Sequence, residues 1–93
     1  MDEREMPATN KLRALLAEVD YLERIGAWII SAYVDSTHGP RAHLSHSSGI
    51  PAHVLRREEG SCQCREYVEH YYVTDRGVRV FWLTEDGGED GQA

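Results

Sequence analysis

The stretch YVEHYYVTDRGVRVFWL, from Tyr67 to Leu83, constrains the fold more than any other part of the chain. Two runs rich in β-branched and aromatic residues flank Thr74-Asp75-Arg76-Gly77. These four residues fit a type I turn whose last residue takes positive φ, a conformation that Gly77 adopts without steric cost. Such a turn sets Thr74 opposite Val78, and the ladder follows: Tyr72 with Val80, His70 with Trp82, Val73 with Arg79, Tyr71 with Phe81 and Glu69 with Leu83. Because side chains alternate along a strand, one face carries Val68, His70, Tyr72, Val78, Val80 and Trp82. The other carries Tyr67, Glu69, Tyr71, Val73, Arg79, Phe81 and Leu83. The first face has no formal charge and is assigned to the core.

Upstream, the pattern switches period once. In TNKLRALLAEVDYLERIG, Leu12, Leu15, Leu16, Val19, Leu22 and Ile25 recur at helical spacing. Thr9 or Asn10 can cap the start, Asp20 and Arg24 form an i,i+4 pair, and Gly26 is a natural stop. AWIISAYVDS then alternates with period two, with Trp28, Ile30, Ala32 and Val34 expected inward. STHGP supplies a turn, and RAHLSHS returns with Ala42 and Leu44 inward and Pro40 at its beginning. SSGIPAHVLRRE reads as a short helix, with Ser47 or Ser48 as cap, Pro51 in the first turn, and Ile50, Val54 and Leu55 toward the core. The expected fold is α+β: an N-terminal amphipathic helix packed on a mainly antiparallel four-stranded sheet made of two hairpins, with a short helix between them.

Ninety-three residues suit one small domain with a modest core, and an apolar share of 41% is enough for it to fold. The net charge of −6 is not spread evenly. Seven of the sixteen acids but one of the ten bases lie in residues 1–9 and 85–93, so the span 10–84 is neutral. The expected organisation is therefore a flexible acidic N-terminal tail (1–9), a single domain (10–84) and a flexible acidic, Gly-rich C-terminal tail (85–93). The charged start MDEREMPATN has no apolar run after it, and no span reaches the length a membrane crossing needs; a cytoplasmic location is expected, with no membrane partner.

Function is expected to lie in protein–protein contact. With one long helix, a sheet keeps one face open, and the face with Tyr67, Glu69, Tyr71, Arg79, Phe81 and Leu83 has the aromatic and arginine content that interfaces favour. The contact would serve inhibition of a larger target, self-association as a homodimer, or both. A neutral domain, with Arg56 and Arg57 followed at once by Glu58 and Glu59, lacks the basic footprint of direct nucleic-acid binding. No cofactor is expected. An alternative is a small zinc module in which Cys62 and Cys64, two apart on a strand, are joined by His53 or His46; C-x-C is not the usual zinc-knuckle spacing. A second alternative is a minimal nuclease or hydrolase with His70 or His53 moving protons, although no phosphate loop, HExxH or paired-carboxylate motif accompanies them.

The element order, with AHLS leading into the short helix and YVTDRGVRVFWL closing the domain, resembles small accessory proteins encoded by bacteriophages. The resemblance covers most of the chain through size, element order and the end hairpin. It implies a non-enzymatic protein in the host cytoplasm that binds and blocks a host protein, as anti-CRISPR and other anti-defence proteins do. The neutral domain departs from the strongly acidic DNA-mimicking members of that group.

Overall fold

A single glycine ends the helical half of the chain. In the computed structural model, which describes residues 8–37, 39–45 and 49–85, helix α1 spans Ala8–Arg24 and closes at Gly26 with φ of +92°. The Gly26 amide donates to the Glu23 carbonyl at 3.1 Å and the Ala27 amide to the Leu22 carbonyl at 2.9 Å. This is the Schellman arrangement, and its two apolar ends, Leu22 and Ala27, are both buried.

The chain then builds strands β1 (Ile29–Asp35) and β2 (Gly39–Leu44), a single-turn helix α2 (Ala52–Leu55), and strands β3 (Gly60–Cys64), β4 (Tyr67–Val73) and β5 (Arg79–Glu85). They form one five-stranded sheet in the order β1-β2-β5-β4-β3. The β1–β2, β3–β4 and β4–β5 pairs are antiparallel, while β2 and β5 run parallel through Arg41–Arg79, Ala42–Val80 and His43–Phe81. The sheet is thus mixed and has one strand more than the sequence suggests. β3 escapes a pattern search because GSCQC has no apolar alternation; it exists by pairing with the outer edge of β4.

The register of the last hairpin follows the turn as expected, with Tyr72 against Val80, His70 against Trp82 and Tyr71 against Phe81. Gly77 has φ of +85°, and its amide donates to the Thr74 carbonyl at 2.9 Å. The Thr74 hydroxyl accepts from the Arg76 and Val78 amides, which gives this buried side chain its partners. The preceding hairpin turns through Arg65-Glu66, with Arg65 at φ of +41°.

The core lies between α1 and one sheet face. It contains Leu15 and Leu22 of α1, Ala42 and Leu44 of β2, Val54 of α2, and Tyr72, Val78, Val80 and Trp82 of the last hairpin, with Ile50 beside them. Val68 and His70 sit at its half-buried margin. Two inward assignments are corrected. A register shift between Ile29 and Ser31 inserts an extra residue into β1, so Ile29 packs on the core while Ile30 and Trp28 are left exposed. On α1, Leu12 and Leu16 are also exposed: the apolar stripe is wider than the sheet can cover, and the helix buries the flank centred on Leu15 and Leu22.

Pro51 stands at the N-cap of α2 rather than within its first turn. Ser47 and Ser48 lie outside the described residues, as does most of both acidic tails; α1 begins at Ala8 and β5 ends at Glu85. Among the described residues no helix is long and apolar enough to cross a membrane.

Candidate functional site

Opposite α1, the register of β1, β2, β5, β4 and β3 brings Tyr33, Arg41, Arg79 and Val73 into one row across the sheet. The next row holds Ser31, His43, Phe81 and Tyr71 and ends at Gly60; beyond it come Leu83, Glu69 and Cys62, then Tyr67 and Cys64. All six residues expected at a contact surface (Tyr67, Glu69, Tyr71, Arg79, Phe81 and Leu83) share this face. To them the structure adds Arg41, His43 and Tyr33 from the first hairpin. No sequence signal pointed to those three, because the parallel β2–β5 junction that places them beside Phe81 leaves no local pattern.

The centre of the face is organised by ion pairing and stacking. Glu69 Oε2 accepts from an Nη2 of both Arg41 and Arg79, each at 3.2 Å. Side-chain exposures of 13% for Arg41, 16% for Glu69 and 21% for Arg79 place this triad mostly out of water. Asp35 lies 4.0 Å from the other side of the Arg41 guanidinium. Arg41 covers the Phe81 ring at 4.4 Å, and His43 stacks on the same ring at 4.5 Å. Phe81 is consequently buried: it supports the two polar groups above it and is not itself an exposed anchor.

Arg79 lies 3.8 Å over the Tyr71 ring. The hydroxyl end of Tyr71 reaches across to β3, so close that a Cβ on Gly60 would meet it at 2.8 Å. Gly60 is what lets Tyr71 lie flat. Tyr33, Tyr67 and Val73 remain exposed around this centre, with Leu83 half-buried. Burial holds the His43 imidazole below its ordinary value of 6.5; Arg41 pushes the same way and Glu69 opposes.

The cysteines and histidines are arranged differently from the two alternative readings. Cys62 and Cys64 are free and exposed on the edge strand β3, on the open-face side of the sheet. His53 is exposed on α2, and His46 lies outside the described residues. Among the described residues no three His, Cys, Asp or Glu side chains are grouped to hold a metal ion.

His70 belongs to a chain that the sequence does not reveal. Its Nδ1 donates to the Glu58 carboxylate, with Oε2 at 2.9 Å, and its Nε2 lies 2.8 Å from the Thr84 hydroxyl, from which it accepts when the ring is neutral. The ring stacks on Trp82, with centroids 5.8 Å apart. Glu58 follows α2, His70 is on β4 and Thr84 on β5, so folding alone assembles the acid–imidazole–hydroxyl order.

Two described clefts lie elsewhere. One of about 420 Å³ is lined by Glu23, Gly26, Ala27, Trp28 and Ile29. A second, of about 300 Å³, lies between α1 and the last hairpin turn, with Glu18, Tyr21, Arg57, Asp75 and Arg76 on its walls. Burial raises the Glu18 carboxyl above its ordinary 4.5, against the opposing pull of Arg57 and Arg76. No family model, curated protein or solved structure matches the chain.

Proposed function

We propose that the protein is a non-enzymatic binding module that acts by protein–protein contact through the open face of its sheet. The observation that carries this reading is the Arg41–Glu69–Arg79 triad stacked on Phe81 and Tyr71, with exposed Tyr33 and Tyr67 at its rim. Arginine and tyrosine dominate the energetics of interfaces, and here their rotamers are held before any partner arrives, so little side-chain entropy is lost on binding. Blocking of a host protein, such as a CRISPR-Cas or other defence component, is the specific form of this reading that the resemblance to phage accessory proteins implies.

The test is affinity capture from a bacterial lysate with the wild-type chain and with Tyr67→Ala plus Tyr71→Ala. Both side chains are outside the α1-facing core, so the far-UV spectrum should be preserved, and a partner held by this face should be lost from the variant. Equal capture by both proteins would sink the proposal. Phe81 is unsuitable for this test because its replacement would undermine Arg41 and His43.

The Glu58–His70–Thr84 chain favours a second reading, a minimal hydrolase with Thr84 as nucleophile and His70 as base. Activated-ester hydrolysis by the purified chain that disappears in Thr84→Val would support it. Turnover equal in both proteins would reject it and leave the chain a structural bridge.

A further inference from the structure

We infer that β1 is the dimerisation edge of the protein, and that a second copy pairs with it antiparallel across a two-fold axis perpendicular to the sheet. The starting point is where the apolar surface lies. The four most exposed large hydrophobic residues described are Trp28 (75%), Leu16 (68%), Ile30 (61%) and Leu12 (54%). Trp28 immediately precedes β1 and Ile30 is near its start, while the two leucines lie on one flank of α1.

They occupy the same side of the molecule. The opposite flank of α1, with Ala17, Glu18 and Tyr21, faces the last hairpin turn across the smaller cleft. Glu23 follows Leu12 and Leu16 along their own flank and lines the other cleft with Trp28 and Ile29. The Leu12–Leu16 flank therefore looks outward over the β1 edge.

An edge strand normally carries a guard. β1 reads IISAYVD, with no Lys, Arg or Pro, and its bulge sits at the first residues, leaving the rest regular. The backbone groups on its outer side can thus accept another strand. The second edge, β3, is short and polar and followed directly by Arg65 and Glu66, so the two edges are not equivalent.

The occupant is a second copy because geometry and charge are self-complementary. α1 lies over both β1 and β2. Two sheets joined at β1 with strands about 4.8 Å apart would set the two copies of α1 roughly 10 Å apart, a normal helix-packing distance. A two-fold axis makes those helices antiparallel. With the axis passing near Leu16, the positive N-terminal half of the flank, at Arg13, comes opposite Asp20 of the second copy, which is held by Arg24 on its own helix at 3.1 Å.

The area also suffices. The four apolar side chains expose on the order of 500 Å² between them, given roughly 200 Å² for a large side chain, and the β1 backbone brings this near the ~800 Å² per partner of a standard interface. This surface is separate from the open-face centre, so either proposal can fail without the other.

The experiment is sedimentation equilibrium of the full chain across the micromolar range. The expected result is a monomer–dimer equilibrium in which Leu16→Glu and Ile30→Lys each raise the dissociation constant at least ~100-fold, because each substitution enters twice. Both residues are exposed, so the fold and its urea midpoint should be unchanged. Arg13→Asp should weaken the dimer and Arg13→Asp with Asp20→Arg restore it, while Tyr67→Ala with Tyr71→Ala should leave it intact. A monomer at every concentration overturns the inference, whatever else covers the flank. So does a dimer insensitive to both Leu16→Glu and Ile30→Lys.

Discussion

Replacing Glu69 with Gln removes one charge and almost no volume, so the change in stability reports how the open face is held together. In the folded protein the Nη2 atoms of Arg41 and Arg79 each lie 3.2 Å from the same carboxylate oxygen, which keeps the two guanidinium ends at most about 6 Å apart. At that separation two positive charges repel by roughly 3 kcal/mol at an effective dielectric of about 20. Water reaching the partly exposed side chains screens some of this, and the Gln carbonyl can still accept from one arginine. The expected net loss is about 2 kcal/mol, or a fall in melting midpoint of roughly 10 °C for a domain of this size. Urea titration followed by Trp82 fluorescence would measure it, with the slope against urea unchanged. Arg41→Met added to Glu69→Gln should return most of the loss, because the repelling pair is gone. A loss under about 0.5 kcal/mol would refute the reasoning and show the triad to be an ordinary solvated surface cluster.

Two further predictions concern the wall between α1 and the last hairpin. Tyr72 is fully buried, its hydroxyl has no hydrogen-bond partner among the described residues, and burial raises its pKa to about 12. Tyr72→Phe should therefore stabilise by about 1 kcal/mol while keeping the ring under the Arg57 guanidinium at 4.3 Å; a loss of similar size in the urea midpoint would mean that the hydroxyl is satisfied by an internal water. Glu18 has a buried Oε2 without a partner among the described residues and a carboxyl raised above 4.5. The folded state thus keeps the Glu18 proton to higher pH than the unfolded state, and stability falls as pH rises from 4.5 through the folded value. Glu18→Gln should match the wild type well below pH 4.5 and gain a stability advantage above it; an advantage that does not change with pH would show that the carboxyl is not the cause.

The parts of this fold that could be read in advance are those where one local signal decides the outcome. Gly26 and the spacing from Leu15 to Ile25 suffice for α1, and Thr74 to Gly77 pins the register of β4 and β5 through to His70 and Trp82. Where a neighbour decides, the pattern misleads. Trp28 and Ile30 alternate like inward residues, but the extra residue in β1 turns them out. Leu12 and Leu16 match the helical stripe, but coverage depends on how far the sheet extends beneath α1. The same holds for the candidate site. Its β4 and β5 members shared a face as soon as the turn was placed, whereas Arg41 and His43 join them through a parallel pairing between strands far apart in sequence. Glu58 reaches His70 from a third element, and no spacing in the chain announces that contact.

The strand order has a consequence for when this protein can exist. β5, which comes last among the described strands, sits in the middle of the sheet and is the junction between the β1–β2 hairpin and the β3–β4 hairpin. Until residues 79–85 are available, those two hairpins have no ladder in common, and the α1-facing core lacks Val80 and Trp82. Emergence from the ribosome must therefore leave a two-part nascent chain with an open gap where the central strand belongs, and folding waits for a contact of long sequence separation. Pulse-labelled chains stalled just before Arg79 should be digested by protease, and those extended past Glu85 should abruptly resist it.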